Sequence, residues 1–427
     1  MHPLRNVAES RTAVTSNWAG NITFEAEQIA TPTSTAEVSE VVRAAVAGGH
    51  SVRALGSGHS FNRIADTGGV QVSTRGLRSP LRIDEDRRWV SIGAGTRYGE
   101  LAIDLAEHGL ALANLASLPH ISIAGAVATG THGSGNTNRS LAAAVAAIEF
   151  VAGDGDVVVL ERGDEGFDGA VVSLGALGVV TRIRLDVVPH FEVRQRVFEN
   201  LPFAALLENF DEITGAGYSV SAFTTWAEPE LIDQVWVKQL ASEVAPGDFF
   251  GATPATEAMH PIRGVSAVAC SEQFGIAGPW YERLPHFKLE FQPSNGAELQ
   301  SEYLIPRLRA QDALLALAGI ADRICPHLLV NEVRTVARDS LWLSPMHGND
   351  VVGLHFTWKQ DPEVAELLPL LDEIFAPLGG RPHWGKVFDE RVRASELYPR
   401  FADFRKLVDR YDPDGVFAND FTRRVLR

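Results

Sequence analysis

Leu55-Gly56-Ser57-Gly58-His59-Ser60-Phe61-Asn62-Arg63 is the stretch on which the reading of this chain turns. It follows the β-like run Ser51-Val52-Arg53-Ala54, so its glycines fall on a tight turn leaving a strand, where backbone N–H groups converge on an anion. Such a turn suits a phosphate-bearing cofactor. An imidazole adds nothing to phosphate binding there and packing explains it poorly, so His59 has a second role to fill.

The surrounding sequence is α+β. Ser34-Thr35-Ala36-Glu37 reads as a capping box, and Val38, Val41, Val42, Ala45 and Val46 then repeat at helical spacing until Gly48-Gly49. Leu81 to Ile83 and Trp89 to Ile92 are strand-like on either side of Asp84-Glu85-Asp86, and a helix from Tyr98 ends near Gly109. Gly153-Asp154-Gly155-Asp156 separates two β-like runs as a hairpin would, and Thr181 to Val188 predicts another strand before Pro189-His190. Between these elements lies a second glycine-rich segment, Ser117 to Asn136. Its small residues and hydroxyls let the backbone approach a large flat ligand and donate hydrogen bonds to it. Gly93-Ala94-Gly95-Thr96-Arg97-Tyr98-Gly99 has G-x-G-x-x-x-G spacing, and no acidic residue follows at the required distance, so it is read as a structural turn and NAD binding is not expected.

From about Phe191 aromatics and prolines become denser, and strand-like stretches at Leu328 to Thr335 and Val351 to Trp358 alternate with helical ones at Arg309 to Ala318 and Pro362 to Leu371. The expected division is residues 1–189, 190–380 as a second, mixed α/β domain, and 381–427 as a tail in which Gly and His return. Within the second part, Glu332 and Arg334 project from one face of a strand, as do His355 and Thr357. Each pair suits either an ion pair facing solvent or a polar lining for a substrate with several hydroxyls.

The 427 residues, 45% hydrophobic, can bury large cores, and the net charge of −16 without long like-charge runs argues against nucleic acid or an anionic membrane as partner. Cys270 and Cys325 are too few and too isolated for a disulfide framework or zinc site. The thirteen histidines form no metal-binding motif, and no metal is expected. Met1-His2-Pro3-Leu4-Arg5-Asn6 lacks the apolar core of a secretory signal, and no apolar run approaches a membrane span. A cytoplasmic monomer is the expectation.

Asn17-Trp18-Ala19-Gly20-Asn21-Ile22-Thr23, the Gly56 to Asn62 turn, Ser117 to Gly135, Glu332 and Arg334, His355 to Trp358 and Pro382-His383-Trp384-Gly385-Lys386, in that order, resemble the alditol oxidases (xylitol or sorbitol oxidases) of the vanillyl-alcohol-oxidase-like flavoprotein superfamily. The resemblance implies an α+β, two-domain flavoprotein: an FAD-binding domain built from the N-terminal part and the tail, and a cap domain closing over the isoalloxazine. It implies FAD held covalently through His59 and lined by Leu55, Gly56, Ser57, Gly58, Ser60, Ser117, Ser122, Gly125, Ala126, Thr129 and Val180. Ser117, Glu332, Arg334, Thr357 and Lys386 match the positions of a polyol pocket. Arg334, Lys386, Glu332 and His355 are the residues expected to carry the chemistry: the first two supply positive charge at the alcohol oxygen, Glu332 binds neighbouring hydroxyls and His355 assists proton removal. The implied activity is oxidation of a terminal primary alcohol to the aldose, with O2 reduced to hydrogen peroxide. Two alternatives stand beside it, a sugar-lactone oxidase or dehydrogenase of the same superfamily and a flavin- or polyol-binding protein without catalysis.

Overall fold

Ser34 starts the first helix as its sequence predicts: its hydroxyl accepts from the Glu37 N–H at 3.2 Å, and the helix Thr35–Gly48 stops where Gly49 turns left-handed at φ 72°. The computed structural model describes residues 16–244, 247–291 and 297–426, so the stretch Met1 to Asn6, read above for a leader, lies outside the described residues.

Two sheets accompany that helix. Val70–Ser73 lies between Gln28–Ala30 and Val52–Leu55 in a parallel sheet, and the glycine turn leaves the end of Val52–Leu55. The second sheet is antiparallel, ordered Arg82–Ile83, Trp89–Gly93, Val179–Asp186, Val145–Val151 and Val157–Glu161, its last two strands forming the hairpin predicted around Gly153 to Asp156. Their apolar faces share one core with Phe404, Phe417, Phe421 and Val425 from the end of the chain. Arg53 fastens this return, donating from the strand Val52–Leu55 to the carbonyls of Ile64, Leu174, Gly175 and Phe417.

The middle of the chain builds a nine-stranded sheet in which every pairing is antiparallel. Helix and strand content is mixed as predicted, but the elements do not form βαβ units. The strands Leu328–Val336, Val351–Lys359 and Glu298–Pro306 are neighbours, and period-two alternation gives them two different faces. Val333, Leu354, Phe356, Tyr303 and Ile305 pack with the helices Ala310–Ala318 and Val364–Phe375 in a second core. Glu332, Arg334, His355, Thr357, Gln300 and Glu302 therefore point the other way, into a cavity facing the first part of the molecule.

Candidate active site

The glycine turn forms one wall of that cavity. A Cβ on Gly56 would lie 2.2 Å from Ser122 Oγ, and Gly58 needs φ 74°, so both positions require glycine. The turn is knitted to the second glycine-rich segment: the Ser57 N–H donates to Ser122 Oγ at 3.2 Å, and the Ser122 N–H donates to Ser57 Oγ at 3.0 Å. Leu55, Gly56, Ser57, Gly58 and Ser60 line the cavity from the turn. Ser117, Ser122, Gly125, Ala126 and Thr129 line it from the second segment, and Val180 from the strand Val179–Asp186. The Asn17 to Thr23 segment clamps the turn from outside, with the Trp18 N–H on the Gly58 carbonyl, Asn17 Nδ2 on the Ser60 carbonyl and Asn21 Nδ2 on the Phe61 carbonyl.

His59 stands on this wall with Trp18 stacked on its ring, centroids 5.4 Å apart. Burial, then the neighbouring His120 and Arg97, push its pKa down to about 4 against a smaller upward pull from the Ser57 backbone. Its Nδ1 is buried and has no hydrogen-bond partner. A neutral imidazole with an unpartnered buried nitrogen, on the wall of this cavity, fits a flavin dinucleotide.

The opposite wall is the sheet. Register places Glu332 opposite His355 and His355 opposite Glu302, so three strands deliver a row of side chains at one level. Arg334 Nη2 donates to Glu302 Oε1 at 2.8 Å, and its Nη1 donates to Ser117 Oγ at 3.3 Å and lies 3.7 Å from Glu332 Oε2. Lys386 arrives from the tail, donating to Gln300 Oε1 at 2.9 Å and His355 Nε2 at 3.0 Å, with Glu302 Oε2 at 3.4 Å. The first wall fixes it there, because Asn62 Nδ2 donates to the Trp384 and Lys386 carbonyls at 2.8 and 2.7 Å. Thr357 completes the face at 7% exposure. The solvent-facing ion pair that Glu332 and Arg334 could have formed is ruled out by their burial at 4% and 5% exposure.

Burial alone would raise the pKa of Glu302 and Glu332, but Arg334 leads the neighbours that overcome it and hold both well below the usual carboxylate range. Burial, then Lys386, pushes His355 down to about 4, and burial lowers Lys386 despite Glu302. The site thus holds ionised carboxylates, cations and neutral imidazoles side by side.

Sequence reading missed Glu302, Gln300, His132, His383, His286 and Lys238, all of which line the cavity or touch its walls. A signal for the first two existed: Glu298, Gln300 and Glu302 alternate along one strand as Glu332 and Arg334 do. His132, Glu302 and His383 offer ligand atoms within 4.8 Å of one another, the kind of trio the sequence did not lead us to expect. Glu302 is already engaged by Arg334 and Lys386, and two cations beside a third disfavour metal there. Gly95 and Arg97 of the Gly93 to Gly99 turn border a small recess together with Gly56, Ser57 and Ser122.

Residues 26–161 match the family described as FAD binding domain, and residues 297–425 match the family described as D-arabinono-1,4-lactone oxidase. The chain is 51% identical to an alditol oxidase from Streptomyces sp. (strain IKD472 / FERM P-14339), covering 97% of this chain and 99% of that one. It is 31% identical to an L-gulono-1,4-lactone dehydrogenase from Mycobacterium tuberculosis (strain CDC 1551 / Oshkosh), over 96% of this chain and 98% of the other. Among solved structures, cholesterol oxidase from B. sterolicum superposes with a TM-score of 0.77 over 96% of each chain at 16% identity, a likeness of fold.

Proposed function

We propose that this chain, which belongs to the alditol oxidase family of FAD-dependent flavoproteins, oxidises the terminal primary alcohol of a small polyol such as xylitol or sorbitol to the aldose and passes the electrons to O2 as hydrogen peroxide. The observation that carries the reading is the facing of two walls. A cofactor-type turn bearing His59 looks across one cavity at a buried array of hydrogen-bonding side chains, dense enough to satisfy several hydroxyls.

Held by this cradle, FAD would supply the hydride-accepting chemistry for the carbinol carbon. Arg334 and Lys386 place positive charge where the alcohol oxygen gains negative character. Glu332, Ser117 and Thr357 accept or donate hydrogen bonds to neighbouring hydroxyls, and an alcohol lacking them leaves these buried groups unpaired. His355, whose Nε2 accepts from Lys386, assists removal of the hydroxyl proton in this reading. Leu55, Gly56, Ser57, Gly58, Ser60, Ser122, Gly125, Ala126, Thr129 and Val180 form the cofactor cradle in this reading, with His59 bonded to the flavin through its free nitrogen. The cradle belongs to an FAD-binding domain of residues 1–189 and 381–427, with 190–380 as the cap. We take the protein as a cytoplasmic monomer; free Cys270 and Cys325 suit a reducing compartment.

In-gel flavin fluorescence after denaturing electrophoresis tests the covalent bond: the wild-type band should fluoresce and His59→Ala should not. The match of residues 297–425 to the lactone oxidases supports one second reading, oxidation of an aldonolactone. Peroxide release from xylitol and from gulonolactone separates the two, and turnover of the lactone alone would overturn the polyol reading.

A further inference from the structure

Behind Glu332 the cavity wall continues into a buried pair that the polyol reading leaves unused. Lys238, on the strand Leu231–Leu240, is 1% exposed, and its ammonium donates to the carbonyls of Leu284 and Pro285 and, at 3.1 Å, to His286 Nδ1. Burial lowers the Lys238 pKa to about 7, and the carboxylate of Glu332, which can only accept, draws the ring proton to Nε2 and leaves Nδ1 as the lone-pair nitrogen facing the lysine. That Nε2 donates to Glu332 Oε1 at 3.0 Å. Phe223 and Trp236 hold the ring edge-on, with centroids 5.5 and 5.3 Å away, and the His286 N–H donates to the Ser117 carbonyl at 3.1 Å.

The other carboxylate oxygen meets the same arrangement from the opposite side. Lys386 donates to His355 Nε2, which leaves His355 Nδ1–H for Glu332 Oε2 at 3.4 Å. Glu332 is gripped between two lysine–histidine arms, one in the reaction cavity and one behind it.

We propose that Lys238 and His286 are positioning residues for polyol selection, holding Glu332 as an ionised acceptor whose free lone pairs face the substrate hydroxyls. The proposal rests on the polyol reading of the cavity. Burial, then the neighbouring lysine, pushes each imidazole's pKa down to about 4, so each ring carries one proton, and the lysine and the carboxylate together decide which nitrogen has it. Without the Lys238 ammonium, the His286 proton can move to Nδ1 and bond a vacated carbonyl. Its Nε2 lone pair would then face the Glu332 carboxylate, which has to turn away or take up a proton. In either state Glu332 no longer accepts from the polyol.

The test compares Lys238→Met, His286→Leu and His286→Gln with the wild-type holoenzyme, using xylitol and 1-pentanol as substrates. Lys238→Met and His286→Leu should raise the KM for xylitol roughly ten- to hundredfold, as expected when a buried polar site loses a charged hydrogen bond. The fall in kcat should be smaller, and the preference for xylitol over 1-pentanol should drop with the rise in KM. The amide of His286→Gln can accept from Lys238 and donate to Glu332, so this variant should recover most of the loss. Spectra of 15N-histidine-labelled protein should place the His286 proton on Nε2 in the wild type and shift it in Lys238→Met. An unchanged xylitol KM in Lys238→Met and His286→Leu, or a His286→Gln no better than His286→Leu, overturns the proposal. Should Lys238→Met fail to fold, the Gln and Leu pair at His286 decides it. A wild-type enzyme inert towards every polyol would instead overturn the functional reading, and the 15N spectra would still report on the arm.

Discussion

Glu302 sets the charge balance of the cavity. With no exposed side-chain surface, it holds Arg334 at 2.8 Å and Lys386 at 3.4 Å, closer than Glu332 stands to Arg334, so two cations in a dry site lean on it first. Removing that charge in Glu302→Gln, which keeps the shape, should cost about 3–5 kcal/mol of stability, as breaking a buried pair does. The guanidinium keeps its proton and the ammonium gives way: Lys386, already lowered by burial, loses the partner that opposed that lowering. Activity that needs Lys386 protonated should then fall at neutral pH and persist on the acidic side, and the pH profile of kcat measures the displacement. A profile identical to wild type would show that Lys386 does not act as a cation. Lys386→Met should lower the rate of flavin reduction by roughly a hundred- to a thousandfold, like loss of one oxyanion donor, read by anaerobic stopped flow. The sequence displayed Arg334 and Glu332 because opposite charges at alternate positions on an apolar strand demand a reason. Glu302 carried the same alternation with Glu298 and Gln300, but nothing local to its strand showed that this face would be buried beside His355.

Among the elements, the turn from Gly56 to Asn62 does two tasks, forming one wall and fixing the other. Asn62 spends both amide hydrogens on carbonyls of the His383 to Lys386 segment, and the Phe61 N–H adds a bond to the Gly385 carbonyl at 2.8 Å. Asn62→Ala strips two carbonyls of their donor, which should cost about 1–3 kcal/mol and loosen Lys386. A fall in melting temperature together with a lower kcat is the expected result; a lower melting temperature with kcat intact would mean that Lys386 is held by the sheet alone. Local signals made such elements readable. The capping box and Gly49 bounded the first helix, and Gly153 to Asp156 located the hairpin, because caps and tight turns are specified within a few residues. The recess that Gly95 and Arg97 share with Gly56 and Ser122 was hidden, since it depends on packing between distant segments.

At the scale of the whole molecule, the return of the tail is what periodicity could not reveal, because contacts such as Arg53 with the Phe417 carbonyl span most of the chain. That closure buries imidazoles that stay neutral, and acid should reopen it. Burial is the first cause in each case: His59, His286 and His355 are lowered to about 4, and His383 lies well below its ordinary value. An unfolded chain binds these protons near pH 6.5, whereas the folded one resists them until about 4. The stability these imidazoles contribute is therefore fully expressed above about pH 6.5 and declines as pH falls towards 4, by up to about 1.4 kcal/mol per pH unit for each. Glu302 and Glu332, whose folded values are depressed, act with the same sign below their unfolded range near 4.3. Urea midpoints at about pH 7, 6 and 5 should drop progressively, and His286→Gln combined with His355→Gln should make the slope shallower by removing two of the groups that take up protons. A midpoint that stays level from pH 7 to 5 would mean that these imidazoles are already charged in the folded protein, and the donor and acceptor order around Glu332 would have to be redrawn.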